Sequence, residues 1–388
     1  MADEFEFEDE DEPEVQEDSF ARFSEAVLYS TDWTVETLLN QLRRGNIQLN
    51  PNFQRRDAWS NSRKSLFIES ILIGLPIPQL VLAEIPTEKG RYLVLDGKQR
   101  LLSLLKFTGG GEGPGEGFAL SGLHARRDLQ RVRYSRMEAD AALEGDLNSF
   151  LNYTIRTVII RNWPNRDFLY QVFLRLNTQS VKLSPQELRQ AIAPGPFTTF
   201  VDDFSADSRE IQRLLGRSSP DPRMRDVEIL VRYLAFQTHL ADYRGRMKSF
   251  LDETCIQGND SWGQNEQTFR QLSGSLDEGI RTLFRVFEDQ LARKPGSRSF
   301  NRAIFDALSY YASEAEVRES MEENSELLRP AYNELFSDPG FKDAIESDTA
   351  GIPNTVIRLR KWGETLNAVC GLQLALPHTV DGRIQFNG

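Results

Sequence analysis

A chain of 388 residues, 39% hydrophobic and 27% charged, has the composition of a globular protein and the length of about two or three domains, which excludes a fully disordered polypeptide. No run approaches the ~18 apolar residues of a membrane span, and no apolar leader opens the chain, so a cytoplasmic protein without membrane contact is expected. Only Cys255 and Cys370, and only His124, His239 and His378, are present; this argues against a disulfide scaffold and supplies zinc sites or histidine-based nucleases poorly.

The formal net charge of -12 is concentrated at one end. Of 58 acidic residues, eleven lie within positions 1–20, which hold no Lys or Arg; the remaining 47 face 46 basic residues. Residues 1–20 repel one another and have little to bury, so they read as a disordered, solubilising acidic tail. The functional alternative is a partner-binding or nucleic-acid-mimicking arm, with Phe5 and Phe7 as docking points. The near-neutral body neither announces nor forbids contact with nucleic acid.

Residues 21–162 mix strands and helices. "TDWTVETLLNQLRRG" predicts a helix capped by Thr31 or Asp32 and stopped at Gly45, and "NIQLN" predicts a short strand. "SNSRKSLFIESILIG" predicts a helix capped by Ser60 or Asn61. The runs "IPQLVLAEI" and "RYLVLDG" predict strands, "KQRLLSLLKFT" a helix, and "LNYTIRTVIIR" a β-branched strand. Six of the nine residues from Gly109 to Gly117 are glycine, but no Lys-Ser/Thr ending follows, so this stretch reads as a linker rather than a phosphate loop. From Pro164 the pattern turns helical, with Phe168, Val172, Phe173 and Leu176 on one side. "LSPQELRQAI" offers Ser184 as N-cap, Pro185 at the first helical position and Glu187 closing a capping box. Further helices are expected near 225–241, 262–294, 300–313, 318–337 and 353–369, which makes residues 163–388 an all-helical domain. Cys255 reads as an inert thiol, the stripe Leu283, Phe284, Phe287 and Leu291 as core, and "IRLRKWG" at 357–363 as a solvated basic face.

Two clusters carry chemistry. In "NPNFQRRDAW", Gln54, Arg55, Arg56 and Trp59 combine adjacent arginines with an aromatic, which suits phosphate or base contact. In "YLVLDGKQR", an apolar strand feeds Asp96-Gly97 and a helix follows at once. The first N–H groups of that helix favour an anion, Lys98 and Arg100 add positive charge, and Asp96 would hold a metal or orient a water. The plain structural alternative is a capped junction in which Arg100 pairs with an acid.

Taken in order, "PNFQRRDAW", "FIESILIGLPIPQLVL", "YLVLDGKQR", "FLRLNTQSVKLSPQELRQAI" and "MRDVEILVRYLA" resemble the N-terminal domain of GmrSD-type restriction proteins across roughly residues 30–255. That domain is also found in the phosphorothioate-dependent defence protein SspE, and its architecture is similar to ParB and sulfiredoxin. The resemblance implies an α+β chain, with a small ParB/sulfiredoxin-like α/β domain before the helical one. It implies binding of GTP or another NTP with Mg²⁺-assisted hydrolysis, used in anti-phage defence to license DNA cleavage. Asp96, Gly97, Gln99 and Arg100 match the family's DGQQR motif. Gln54 and Arg55 match its upstream Gln-Arg, and Asn177 matches its "RLN" element, with Leu183 and Glu187 following. The implied roles are a phosphate clamp for Arg100, orientation of phosphate or water for Gln99, and placement of metal or nucleophile for Asp96. Gln54, Arg55 and Asn177 complete the pocket. Lys98 replaces the usual Gln, which would tighten nucleotide binding at the loss of a hydrogen-bonding amide, and Phe53 replaces a frequent Tyr. Beyond residue 240 only His378 remains, too few histidines for the HNH nuclease that many relatives append. The implied partners are DNA, a separate nuclease or another defence subunit, and a homo-oligomer is allowed. Two other classes stay open: a DNA-binding adaptor without turnover, and an interaction subunit that restrains a toxic nuclease.

Overall fold

The computed structural model describes residues 26–49, 59–110, 117–165, 168, 169, 172, 176 and 184–386. The chain forms two compact units that meet in sequence between Ile192 and Ala193.

The first unit is built on a five-stranded mixed sheet. Its strands are β1 (Val27–Thr34), β2 (Ile47–Gln48), β3 (Leu80–Glu84), β4 (Tyr92–Asp96) and β5 (Thr154–Arg161), in the spatial order β1-β5-β3-β4-β2. The β1–β5 and β3–β4 pairs are antiparallel, whereas β3–β5 and β2–β4 are parallel. The β3–β4 ladder is irregular: Leu82 pairs with Val94 but Val81 pairs with Asp96, leaving Leu95 as an extra residue on β4.

One face of the sheet carries Leu80, Leu82, Tyr92, Ile155 and Ile159 into a large core. The helices α1 (Val35–Arg43), α2 (Asn61–Leu72), α3 (Lys98–Phe107), α4 (Tyr134–Ala139) and α5 (Glu144–Asn152) contribute Leu38, Ile68, Leu104, Met137 and Phe150 to it. The other face, with Val81, Ala83, Leu93, Leu95 and Ile160, packs on Phe168, Leu169 and Leu188. The helix α6 (Pro185–Ile192) therefore belongs with the sheet, and the boundary expected at residue 162/163 falls some thirty residues later. The helical pattern was legible there, but its apolar side covers a sheet instead of opening a new core. The capping box at its start is reciprocal: Glu187 N–H donates to Ser184 Oγ at 3.1 Å, and Ser184 N–H donates to Glu187 Oε2 at 2.7 Å.

Strand β1 was absent from the sequence expectation. The N-cap of α1 is Thr34, not Thr31 or Asp32, and Thr34 Oγ1 accepts from Thr37 N–H. Val27, Leu28 and Tyr29 are exposed, so β1 shows no inward–outward alternation; its identity comes from pairing along β5 at the sheet edge. On α2, Glu69 is buried and accepts from the N–H groups of His124, Ala125 and Arg126 at 2.7–3.1 Å, tying the loop between α3 and α4 to the core.

The second unit consists mostly of helices: α7 (Pro196–Asp207), α8 (Arg209–Leu214), α9 (Arg225–His239), α10 (Met247–Asp260), α11 (Trp262–Phe287), α12 (Arg302–Tyr311), α13 (Ala315–Glu323), α14 (Ser325–Leu335), α15 (Pro339–Glu346) and α16 (Ile352–Cys370). Helix α9 is buried through most of its length and touches α7, α10, α11 and α12, so it forms the centre of this core. The expected stripe is core: Leu283 and Phe287 on α11 and Leu291 just beyond its end are buried, with Phe284 half-buried beneath the Arg213 guanidinium. Cys255 is buried and Cys370 half-buried, and both thiols are free.

Two expectations fail here. The unit is not all-helical, because β6 (Pro377–Val380) and β7 (Arg383–Phe386) form an antiparallel hairpin. Asp381 and Gly382 between them both have positive φ, as an Asp-Gly hairpin turn requires. The "IRLRKWG" stretch is not a solvated face either. Arg358 and Trp362 are buried, Lys361 pairs with Asp338 at 2.8 Å, and Arg360 lies 3.7 Å from Glu364. Among the described residues no helix is long and apolar enough to cross a membrane.

Candidate functional site

The junction between β4 and α3 assembles five of the expected site residues. Asp96 ends the strand, Gly97 turns the chain, and Lys98, Gln99 and Arg100 form the first turn of the helix. Gly97 adopts φ +97°, a left-handed conformation that disfavours a side chain. A Cβ at this position would also lie 2.2 Å from Leu80 Cδ2 and 3.1 Å from Arg100 Nη2. The first bond within the helix runs from Leu101 N–H to the Gly97 carbonyl, and Gly97 provides no side-chain cap. The amides of the first turn therefore have no acceptor inside the helix and present the positive end of its dipole to the turn. No acidic residue occupies that first turn.

Arg100 lies across this end. Its Nη2 donates to Asp96 Oδ2 at 2.7 Å and to the Gln79 carbonyl at 3.2 Å. The side chains of Arg100 and Asp96 are 13% and 31% exposed, so the pair sits at the surface of the core. Two atoms remain unsatisfied: Arg100 Nε and Gln99 Oε1 are buried and make no hydrogen bond among the described residues. Other buried atoms share this state, Trp362 Nε1 and Tyr332 Oη among them, but these two lie on the first turn of a helix whose N-terminal amides favour an anion.

The pairing of Arg100 with Asp96 matches the structural alternative raised from the sequence, and it bears on the metal. Among the described residues no group of three or more His, Cys, Asp and Glu side chains could hold an ion. Within residues 96–100 Asp96 is the single carboxylate, with one oxygen engaged by Arg100. This donor set does not suit a resident metal centre. It suits Mg²⁺ delivered on a triphosphate, which needs only one or two protein carboxylates beside the phosphate oxygens.

Gln54, Arg55, Arg56, Asn177 and Leu183 lie outside the described residues. Trp59, expected beside the arginines as a contact for bases, packs edge-on against Phe67 at 5.9 Å with the Arg63 guanidinium over its ring. Sequence reasoning missed Gln79, whose carbonyl positions Arg100 from 21 residues away. Only the β3–β4 pairing brings the two together, and no local signal foretells it.

Residues 35–193 match a family model described as the GmrSD restriction endonuclease, N-terminal domain. This segment belongs to that domain family. The GmrSD N-terminal domain here takes in α1 to α6, the Asp96–Arg100 junction and the Ser184–Glu187 capping box. It ends where the first compact unit ends. The resemblance read from the sequence ran further, to about residue 255, but the stretch "MRDVEILVRYLA" lies in α9, within the second unit. No curated protein and no solved structure matches the chain.

Proposed function

We propose that this chain binds a nucleoside triphosphate at the β4–α3 junction and, as an NTP-hydrolysing sensor or regulator in a restriction-like anti-phage system, controls DNA cleavage by a partner nuclease. The observation that carries this reading is the pair of buried, open atoms on the first turn of α3, Arg100 Nε and Gln99 Oε1, at an uncapped helix N-terminus inside a GmrSD N-terminal domain. The amides of that turn and the Arg100 guanidinium would take up phosphate charge. Lys98 adds a cation at the same end. Gln99 would orient a phosphate oxygen or a water, and Asp96, released from Arg100 as phosphate takes its place, would face the Mg²⁺ that accompanies the nucleotide. Gln54, Arg55 and Asn177 are proposed to close the pocket.

Calorimetric titration of the wild-type protein with each of the four Mg²⁺-NTPs tests this reading, with phosphate release followed in parallel. At least one NTP should bind. Arg100→Ala should weaken it by about 10- to 100-fold, the equivalent of one lost charged hydrogen-bonding group, while the melting temperature hardly moves. If no NTP binds the wild type, or if Arg100→Ala binds as well as the wild type, the proposal fails.

A second reading is favoured by the Asp96–Arg100 pair itself, which ties up an oxygen of the one carboxylate in the junction: a DNA-binding adaptor of the same system that lacks turnover. Duplex affinity that falls steeply with salt and persists without nucleotide would select it.

A further inference from the structure

The two edges of the five-stranded sheet are finished differently. At one edge β2 is two residues long, and Ile47 on it is buried. At the other, β1 runs for eight residues in unbroken register with β5 and contains no Gly, Pro, Lys or Arg. Short strands, bulges, prolines and cations are the devices that keep an edge from pairing further, and β1 has none of them. Its one charge, Asp32, lies toward its C-terminal end, 4.0 Å from Arg156. Alternate residues of β1 turn their N–H and C=O groups away from β5, and among the described residues no backbone group takes them up.

The side chains at this edge are apolar as well as exposed. Val27, Leu28 and Tyr29 are 51%, 67% and 50% exposed, and these three consecutive residues are half of the six large hydrophobic residues that the described chain leaves in solvent. Tyr29 lies opposite Ile159 and Leu28 opposite Ile160, which belong to the cores on the two faces of the sheet. Both cores therefore end in open apolar side chains at one edge. The cation beside them is engaged: the Arg161 guanidinium lies over the Tyr29 ring at 5.2 Å and pairs with Glu84 at 2.9 Å.

We propose that β1 is a dimerisation edge, which pairs antiparallel with β1 of a second copy of this chain and joins the two sheets into one. An uncharged, apolar strand end with matching alternation is what this edge accepts, and it is what β1 itself presents. A two-fold axis normal to the sheet sets like faces together, so Val27 and Tyr29 of both copies share one face and Leu28 of both the other. Asp32 meets its own copy only if the axis passes through Asp32; with the axis at Tyr29, Ser30 or Thr31 no like charges stand opposite. The assembly closes at two copies, because each uses its one long edge and β2 is too short to extend it. This pairing is independent of nucleotide binding at the β4–α3 junction.

Sedimentation equilibrium of the full-length protein tests the proposal, with hydrogen exchange of the 27–34 backbone followed at low and high protein concentration. The wild type should be a dimer whose 27–34 amides exchange more slowly as concentration rises. Val27→Lys/Leu28→Lys places cations along the seam and should raise the dimer dissociation constant about tenfold or more. Leu327→Lys, at an exposed leucine of α14 in the second unit, should leave that constant unchanged. Melting temperatures in dilute solution serve as the folding control. The exchange measurement needs no variant, so it decides the matter even if the double variant unfolds. A monomeric wild type, a dimer that survives Val27→Lys/Leu28→Lys, or exchange in 27–34 that ignores concentration would each overturn the proposal.

Discussion

The molecule contains two arginine–aspartate contacts of nearly equal length in opposite settings. In the first unit Arg100 meets Asp96 at 2.7 Å at a surface junction, and the arginine keeps a buried nitrogen without a partner. In the second unit Arg232 meets Asp306 through two bonds, at 3.1 and 2.6 Å, with both side chains almost fully buried. The fully buried Arg358 approaches the same carboxylate at 3.9 Å. Distance does not distinguish the two. What separates them is solvent access: Arg100 and Asp96 are 13% and 31% exposed, whereas Arg232 and Asp306 are 3% and 4% exposed. The partly exposed pair can exchange its partner for a ligand, whereas opening the buried pair would leave charge inside the core.

Four substitutions would break or sharpen this contrast. Asp306→Asn has the largest expected effect. Removing the charge takes the carboxylate from the bidentate Arg232 pair inside the core, and breaking a buried pair in this way costs about 3–5 kcal/mol. Urea unfolding should show a midpoint far below wild type, and a change under ~1 kcal/mol would mean that the pair is not structural.

Next comes Glu69→Gln, a buried anion stabilised by amides instead of arginines. Burial alone pushes the Glu69 carboxyl up, but the N–H groups of Arg126, His124 and Ala125 outweigh it and hold the carboxyl below its ordinary value. The folded state therefore gains stability from this group above the unfolded value of about 4.3, and loses it as pH falls through the depressed folded pKa. Gln presents an amide where three donors converge, so the variant should lose about 1–3 kcal/mol at neutral pH and show a flatter stability profile below pH ~4. An unchanged acid limb would contradict this assignment.

Ser184→Ala removes half of the capping box and should cost about 1 kcal/mol, read as a small drop in melting temperature with no change in ligand binding. Asp96→Asn should have the smallest effect on folding, under ~1 kcal/mol for a partly exposed pair, while altering NTP affinity or turnover. The same chemical change at positions 96 and 306 thus divides function from stability. If Asp96→Asn unfolds the protein, the contrast is lost.

Much of this architecture was legible in the sequence because the signals were local. Ser60 and Ser184 cap the helices expected of them, and the runs ending at Glu84, Asp96 and Arg161 form strands. The left-handed turn at Gly97 was equally readable from Asp-Gly between a strand and a helix. What escaped depends on contacts remote in sequence. Strand β1 has no apolar alternation and exists through β5, and Gln79 reaches Arg100 only through sheet pairing. Arg358 looked like surface because a basic stretch usually is, and its burial requires an aspartate 52 positions earlier. The Asp-Gly turn of the C-terminal hairpin is different: its signal was present in "TVDGRI" and was masked by the helical pattern before it.

The extra residue at Leu95 gives the junction a dependence on counting. Because β4 spends two residues where β3 spends one, the strand reaches Asp96 rotated relative to an even ladder. Deleting Leu95 would regularise the pairing and swing the carboxylate, the glycine turn and the helix start together toward the opposite side of the sheet. Point substitutions leave that phase intact, so the fold of this locus, Gly97 excepted, should tolerate changes of side chain better than changes of chain length.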